Sequence, residues 1–126
     1  MIVLDANVLI GLFDPADAHH ERAESLLLAY ADEPLAISAL TLAEFLIRPT
    51  AAGVAARAQL FVANMGVIVS PLLCDDAAYL AGLRSATGLK MPEAIVLWLA
   101  QSASAKLMTL DDHLAKAAMG LGIEVV

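Results

Sequence analysis

The segment Ile2-Val3-Leu4-Asp5-Ala6-Asn7 decides the fold class of this chain. Its three branched apolar residues predict a short strand buried on both faces, and an acid follows that strand directly. Ligands of open parallel α/β sheets bind outside the carboxyl ends of the strands. Asp5 therefore stands where such a sheet would carry its functional site.

Four further short apolar runs repeat this pattern, with helical patterns between them. The five predicted strands are Ile2–Leu4, Leu35–Ile37, Val67–Val69, Lys106–Thr109 and Ile123–Val125. The predicted helices are Asp17–Tyr30, Ala39–Ile47, Ala51–Asn64, Asp75–Thr87, Pro92–Ser102 and Asp112–Met119. The second of these helices is expected to stop before Pro49, because the residue preceding a proline avoids the α region. The alternation predicts one three-layer α/β/α domain over residues 1–126, with a short, mainly parallel five-stranded sheet.

Composition narrows the setting in which the chain works. It has 126 residues, 60% of them hydrophobic, and one cysteine. Cys74 has no internal disulfide partner and is expected to be a small buried hydrophobe, which fits a reducing cytoplasm. No signal peptide and no membrane-spanning run is visible. We therefore expect a cytoplasmic protein with no membrane partner.

The net charge of −7 argues against binding to nucleic acid, because phosphate contacts favour a basic surface. The argument weakens if the acids bind metal, because bound divalent ions reverse the local field. Arg48 and Lys90 lie near acidic motifs and could contact phosphate, although a solvated surface charge is the ordinary role of each.

Four acids fall near strand ends or helix starts and could converge on one edge of the sheet. They are Asp5, Glu44, Glu93 and Asp111. Each also has a structural explanation, since acids are favoured at helix starts. Asp5 and Asp111 could cap the helices that follow them. Glu44 closes a capping-box pattern that begins at Thr41, and Glu93 could complement a helix dipole.

The joint placement of these acids favours a metal site. Mg²⁺ and Mn²⁺ take carboxylate oxygens, and an acidic cluster in a cleft is costly unless cations neutralise it. Such a site suits hydrolysis of a phosphodiester by an activated water. No Gly-x-x-x-x-Gly-Lys-Ser/Thr loop and no dinucleotide fingerprint is present, which disfavours nucleotide-dependent chemistry.

On these motifs the chain resembles the PIN-domain ribonucleases, in particular the toxins of VapBC-type toxin–antitoxin pairs. The resemblance rests on residues 2–10, 37–44 and 107–111 and covers the whole chain. It implies a Mg²⁺- or Mn²⁺-dependent endoribonuclease whose metal ligands and catalytic acids are Asp5, Glu44, Glu93 and Asp111. It also implies a homodimer, an RNA substrate and an antitoxin that threads a segment over the site.

The same resemblance assigns accessory roles and exposes one departure. Asn7 and Thr109 match polar positions that assist the site, and Ser38 matches a helix-start residue near it. Asp112 adjoins Asp111 and could share or exchange its role. The third acid of these toxins is commonly aspartate, whereas this chain has Glu93, one methylene longer, so metal preference or rate could differ.

Two rival functions remain. The first is another enzyme class on a similar sheet. A phosphoaspartate receiver fits poorly because Ser70-Pro71, and no aspartate, follows the third strand, and a dehalogenase-type phosphatase fits poorly because the first motif is Asp5-Ala6-Asn7 rather than Asp-x-Asp. The stronger alternative is a catalytically weak or silent module of the same fold, acting through dimerisation and antitoxin binding. The acidic net charge and the glutamate at position 93 favour this alternative.

Overall fold

A computed structural model describes all residues, 1–126, and contains four strands and seven helices. The strands are β1 (Ile2–Leu4), β2 (Leu35–Ser38), β3 (Ile68–Ser70) and β4 (Lys106–Met108). The helices are α1 (Ala6–Phe13), α2 (His20–Ala29), α3 (Ala39–Ala51), α4 (Ala55–Asn64), α5 (Asp76–Thr87), α6 (Met91–Ser102) and α7 (Asp112–Gly120). None of these helices combines the length and the hydropathy needed to cross a bilayer.

The sheet is parallel throughout, in the order β3-β2-β1-β4. β1 lies inside it, with Val3 paired to Ala36 of β2 and to Leu107 of β4. Parallel pairing aligns the carboxyl ends of β1, β2 and β4 along one edge. The residues that follow these three strands are therefore neighbours in space although they are distant in the sequence.

Alternation along the strands divides the core into two layers, one on each face of the sheet. Val3, Ala36 and Leu107 pack with α6 and its neighbours on one face. Ile2, Leu4, Ile37 and Met108 pack against the other face with residues of α1, α3 and α4. The predicted three-layer α/β/α class is confirmed. α6 is the central element of its layer, since all residues from Ala94 to Ala100 are buried.

The prediction of a fifth strand at Ile123–Val125 was wrong. Only an isolated bridge forms there, between Leu107 and Val125. The amide of Ile123 donates instead to the carbonyl of Ala118 at 3.0 Å, after a turn in which Gly122 has a φ of +76°. The end of α7 thus takes the backbone group that a longer strand would have paired with β4.

Two helix boundaries also differ from expectation around Pro49. α3 does not end at Ile47 but continues to Ala51, with Pro49 inside it. Thr41, Phe45 and Pro49 are buried and spaced four residues apart, so the proline lies on the face that packs against the core. Packing therefore outweighs the local preference against proline. α4 then begins at Ala55 rather than Ala51.

Three smaller expectations were also corrected. α1 begins directly after Asp5, although the predicted helices included none before Asp17 and the sequence had pointed to this helix only as one that Asp5 could cap. β3 was expected to be buried on both faces but lies at the edge of the sheet, with Ile68 50% and Val69 41% exposed. Cys74, expected in the core, is exposed in the loop before α5.

The buried layer centred on α6 predicts where truncation destabilises the protein most. Leu97→Ala removes a side chain that is 0% exposed and should lower the free energy of unfolding by about 2–5 kcal/mol. Leu60→Ala is the matched control, because Leu60 is 60% exposed, and should change it by about 0.5 kcal/mol or less. Urea denaturation followed by circular dichroism measures both. Equal losses of stability in the two variants would contradict the assignment of the core.

Candidate metal centre

The site is built on the link between β1 and β4. The amide of Asp5 donates to the carbonyl of Met108 at 3.0 Å, which continues the strand pairing by one residue. This brings the side chain of Asp5, at the start of α1, beside the segment Thr109–Asp111 that connects β4 to α7. The pairing of two strands thus decides which side chains surround Asp5.

Thr109 is the polar centre of this arrangement. Its hydroxyl donates to Oδ2 of Asp5 at 2.7 Å, and the residue is only 4% exposed. Oγ1 of Thr109 in turn accepts from Nδ2 of Asn7 at 3.3 Å and from the amide of Asp111 at 3.1 Å. Oδ1 of Asn7 accepts from the amide of Leu110 at 3.2 Å. These four bonds fix the Asp5 carboxylate relative to the loop that carries Asp111.

Asp5 does not act as the helix cap that its position would allow. Its side chain makes no capping hydrogen bond at the start of α1, although the helix begins at the next residue. Its carboxylate is instead oriented from across the sheet by Thr109. The capping explanation of Asp5 is therefore replaced by a contact between two distant segments of the chain.

Asp111 and Glu93 do serve their helices, each through one oxygen. Oδ1 of Asp111 accepts from the amides of His113 at 2.8 Å and Leu114 at 3.3 Å, and so caps α7. Oε2 of Glu93 accepts from the amide of Lys90 at 3.0 Å at the start of α6. Neither Oδ2 of Asp111 nor Oε1 of Glu93 has a hydrogen bond within the protein. Capping and ligand binding are thus compatible for these two residues.

Glu44 reaches the same region from α3. The cap of this helix is Ser38 rather than Thr41, since Oγ of Ser38 accepts from the amide of Thr41 at 2.9 Å. The capping box expected between Thr41 and Glu44 does not form, which leaves the Glu44 carboxylate without a structural hydrogen bond. Ser38 is fully buried, so its role is to position the helix that carries Glu44.

The charges of these acids oppose one another. Burial raises the pKa of Asp5 above its usual range, and the charges of Asp111 and Glu93 raise it further, against the lowering effect of Thr109 and the Ala6 amide. Burial also raises the pKa of Glu44, with added repulsion from Asp5 and Glu93. None of the ion pairs in the structure includes any of the four acids. The cluster is therefore acidic and without a compensating protein cation.

The chemistry of these donors fits a hard divalent cation, which takes carboxylate oxygens and retains several waters. No three Asp, Glu, His or Cys side chains stand together closely enough to enclose an ion directly. One or two carboxylates with water molecules are a usual coordination for Mg²⁺, and such a set needs no enclosing cage. Asp112, by contrast, lies in the first turn of α7 and makes no side-chain hydrogen bond with the cluster.

Sequence reasoning missed how the site is connected. It treated Thr41 as a helix cap and gave Thr109 only a general assisting role. The buried pair Ser38 and Thr41, whose hydroxyl oxygens are 2.9 Å apart, and the bond from Thr109 to Asp5 appear only in three dimensions. Their one signal in the sequence is that Ser38 and Thr109 each follow a short apolar run.

Comparison with known proteins assigns the chain to a family. The family model of the PIN domain matches residues 2–119, so the chain belongs to the PIN-domain family. A search of curated protein sequences finds no significant match.

Solved structures with this fold include several proteins of toxin–antitoxin systems. A chain of a toxin–antitoxin complex from Klebsiella pneumoniae is 27% identical, with a TM-score of 0.74, and the match covers 88% of this chain and 87% of that one. VapC20 of Mycobacterium tuberculosis, a toxin that cleaves the sarcin-ricin loop, is 16% identical, with a TM-score of 0.80 and coverages of 93% and 95%. FitAcB of Neisseria gonorrhoeae is 22% identical, with a TM-score of 0.75 and coverages of 99% and 96%.

The raised pKa of Asp5 predicts that the free energy of unfolding of the metal-free protein depends on pH. The folded state binds the proton of Asp5 more tightly than the unfolded state does. Ionisation of Asp5 therefore lowers the free energy of unfolding as the pH rises above the unfolded-state pKa, and the full loss is present above the folded-state pKa. Asp5→Asn keeps an acceptor for Thr109 but removes the charge. In metal-free buffer at pH 8 it should raise stability by on the order of 1 kcal/mol, or roughly 3–6 °C in Tm.

That gain should shrink as the pH falls through the folded-state pKa of Asp5, and it should vanish below the unfolded-state pKa, where the wild-type carboxyl is protonated in both states. Asp32→Asn is the control, because Asp32 is exposed and lies before β2, at the opposite end of the sheet. Calorimetric scans at several pH values provide the measurement. A fall in Tm for Asp5→Asn would mean that the charge of Asp5 stabilises the fold.

Proposed function

We propose that this protein is a metal-dependent endoribonuclease and the toxin of a VapBC-type toxin–antitoxin pair. The observation that carries the proposal is the cluster of Asp5, Glu44, Glu93 and Asp111, in which the charges repel one another and no protein cation is paired with any of them. Its support in the comparisons is membership of the PIN family and likeness to chains from toxin–antitoxin systems.

In this proposal Mg²⁺ or Mn²⁺ binds among the four acids, directly to one or two of the carboxylates and through water molecules to the others. When bound, such an ion lowers the pKa of a coordinated water and offsets the charge that develops on the cleaved phosphodiester. Asp5 is held in place by the Thr109 hydroxyl, and Asn7 fixes the loop that carries Asp111. Asp111 and Glu93 each keep one carboxylate oxygen on a helix amide and leave the other for the ion. Asp112 is an accessory residue at the rim.

The substrate follows from the same electrostatics. Without a cation, the acidic cluster would repel a phosphodiester, so metal binding and RNA binding are coupled in this proposal. The product would be two RNA fragments generated by hydrolysis. The proposal places the protein in the cytoplasm, where it would act as a homodimer and be held inactive by its antitoxin, as the likeness to a toxin–antitoxin complex suggests.

A second candidate is a catalytically weak or silent module that acts only through dimerisation and antitoxin binding. It is favoured by Glu93, whose carboxylate is already bonded to the amide of Lys90, and by the absence of an enclosed group of three ligands. This candidate and the nuclease differ in one measurable property, which is RNA cleavage that depends on Mg²⁺ or Mn²⁺.

The first test is cleavage of a panel of structured and single-stranded RNAs with Mg²⁺ or Mn²⁺, comparing wild type with Asp5→Asn. We expect cleavage by the wild type, abolition by EDTA, and a loss of about 100-fold or more in the variant. Asp32→Asn serves again as the control and should cleave like the wild type. Activity that survives Asp5→Asn unchanged would rule out the metal-nuclease proposal. No cleavage of any RNA, with no Mn²⁺ binding by calorimetry, would favour the silent module.

A matched pair of variants tests the role of Glu93. Glu93→Asp keeps the charge and a short acceptor at the start of α6, and we expect it to retain cleavage within about tenfold of wild type. Glu93→Gln keeps the length and an acceptor for the Lys90 amide but removes the charge, and should lose about 100-fold in cleavage rate. Inactivity of Glu93→Asp would instead show that this site requires the longer side chain.

A further inference from the structure

A cavity of about 250 Å³ lies beside the acidic cluster, between α1, α3 and the start of α4. Its wall includes Phe13, Phe45 and Pro49, and Arg48 and Arg57 also line it. We call this cavity the arginine pocket. Nothing in the proposed cleavage site accounts for its combination of aromatic and cationic side chains.

The aromatic wall is preorganised. The rings of Phe13 and Phe45 meet edge to face with centroids 5.6 Å apart, and Phe13 meets Phe61 in the same way at 5.4 Å. Phe45 is buried, whereas Phe13 keeps part of its surface exposed. The guanidinium carbon of Arg57 lies 5.6 Å from the centroid of Phe13. The pocket therefore offers a fixed apolar surface with a planar cation at its rim.

The two arginines have no acidic partner. Neither Arg48 nor Arg57 takes part in an ion pair, although the chain has 14 Asp and Glu against 7 Lys and Arg. Asp14, the one acid that lines the pocket, accepts through Oδ1 from the amide of Ala16. In a chain of net charge −7, the pocket thus carries two cations that are free to bind an external anion.

The arginine pocket lies next to a cavity that reaches the acidic cluster. A second cavity, of about 370 Å³, is lined by Asn7 and Glu44 of the candidate metal centre. It shares Ile10 and Arg48 with the arginine pocket. We call these two adjacent cavities together the groove. An extended polymer bound at the acids can therefore reach the arginine pocket by passing Arg48.

We infer that the arginine pocket is a nucleotide subsite for single-stranded RNA, an inference that rests on the proposed function. One base packs against Phe13 and Arg57, and the phosphates on either side of it contact Arg48 and Arg57. A volume near 250 Å³ is below the ~300–1,000 Å³ of pockets for drug-sized ligands, and suits a single base. Base stacking on aromatic rings, with cations for the backbone, is the usual chemistry of single-strand recognition.

The groove favours RNA over a protein segment, because the acidic cluster at one end and the arginine pocket at the other both suit the same phosphate-linked polymer. The acidic end accepts a phosphodiester only together with cations, and the arginine end accepts the next phosphates directly. A repeating anion with flat apolar substituents satisfies both ends in succession. The identity of the base in the pocket would then help to determine where the RNA is cleaved.

The test measures binding and cleavage separately. Binding of fluorescein-labelled 12-mer oligouridylate and oligoadenylate is followed by anisotropy with Ca²⁺, which takes carboxylate oxygens and offsets the charge of the acids. Gel electrophoresis checks that the oligonucleotides stay intact during the measurement. Arg48→Gln and Arg57→Gln should each weaken binding about five- to tenfold and reduce the log–log slope of affinity against salt by about 0.7 for each phosphate that is no longer neutralised. Phe13→Leu should weaken binding about tenfold while the folded state persists, as checked by Tm. In cleavage with Mn²⁺, the arginine variants should raise KM more than they lower kcat.

Arg22→Gln is the matched control, because Arg22 is exposed on α2 and lines neither cavity. Equal behaviour of Arg48→Gln, Arg57→Gln and Arg22→Gln in an active enzyme would overturn the subsite and leave the nuclease proposal intact. The subsite would also fail if the pocket variants no longer bound antitoxin while RNA binding and cleavage stayed unchanged. Conversely, loss of cleavage by Asp5→Asn with unaltered binding of RNA to the pocket would separate the two sites.

Discussion

The parallel pairing of β1 with β2 and β4 is the constraint on which the rest of the structure depends. It brings together three segments that are far apart in the chain, those that begin at Asp5, Ser38 and Thr109. One bond then determines what the shared edge can do, because the Thr109 hydroxyl orients the Asp5 carboxylate from across the sheet. If β4 shifted by one residue, Thr109 would point to the opposite face and that bond would be broken.

The two ends of the sheet differ in how their charges are paired. At the amino end, Lys106 lies 3.6 Å from Glu33 and 3.6 Å from Glu124, and Glu33 also pairs with the chain's amino group. At the carboxyl end, four acids gather without any such partner. A fold selected only for stability would distribute its few cations to both ends. The unpaired acids are therefore a local cost that the buried layers on both faces of the sheet must offset.

Much of this architecture was predictable from the sequence because its signals are local. Short apolar runs predicted β1, β2 and β4, and the acid after β1 pointed to the edge of the sheet that carries the site. What failed was local reasoning where a tertiary contact competed. Pro49 stays inside α3 because its face is buried, and Ile123 leaves the sheet because its amide bonds to Ala118. Burial of β3 also failed, since its place at the edge follows from strand order, which residue types do not encode.

The candidate site likewise has features that local sequence signals predicted and features that only tertiary contacts determine. Residue type and spacing pointed to the four acids as candidates, but did not indicate which of them would also serve as helix caps. Asp111 and Glu93 do so, while Asp5 and Glu44 do not. The resemblance of motifs suggested roles for Asn7, Ser38 and Thr109, and the structure supplies the contacts through which those roles could act. The arginine pocket had no sequence signal, because Phe13, Phe45 and Arg57 come from three different helices.

Net charge was the strongest argument in the sequence against nucleic acid, but a total charge does not describe the electrostatic field at one site. A sum of −7 does not say where the charges are. The acids that matter converge at one edge, where a divalent cation would reverse their effect on phosphate. Two arginines without ion pairs line the neighbouring arginine pocket. Phosphate responds to the local field within about one Debye length, roughly 8 Å at physiological salt, and not to the total. An acidic protein can therefore present a groove that attracts RNA, provided that its acids are gathered where metal can neutralise them.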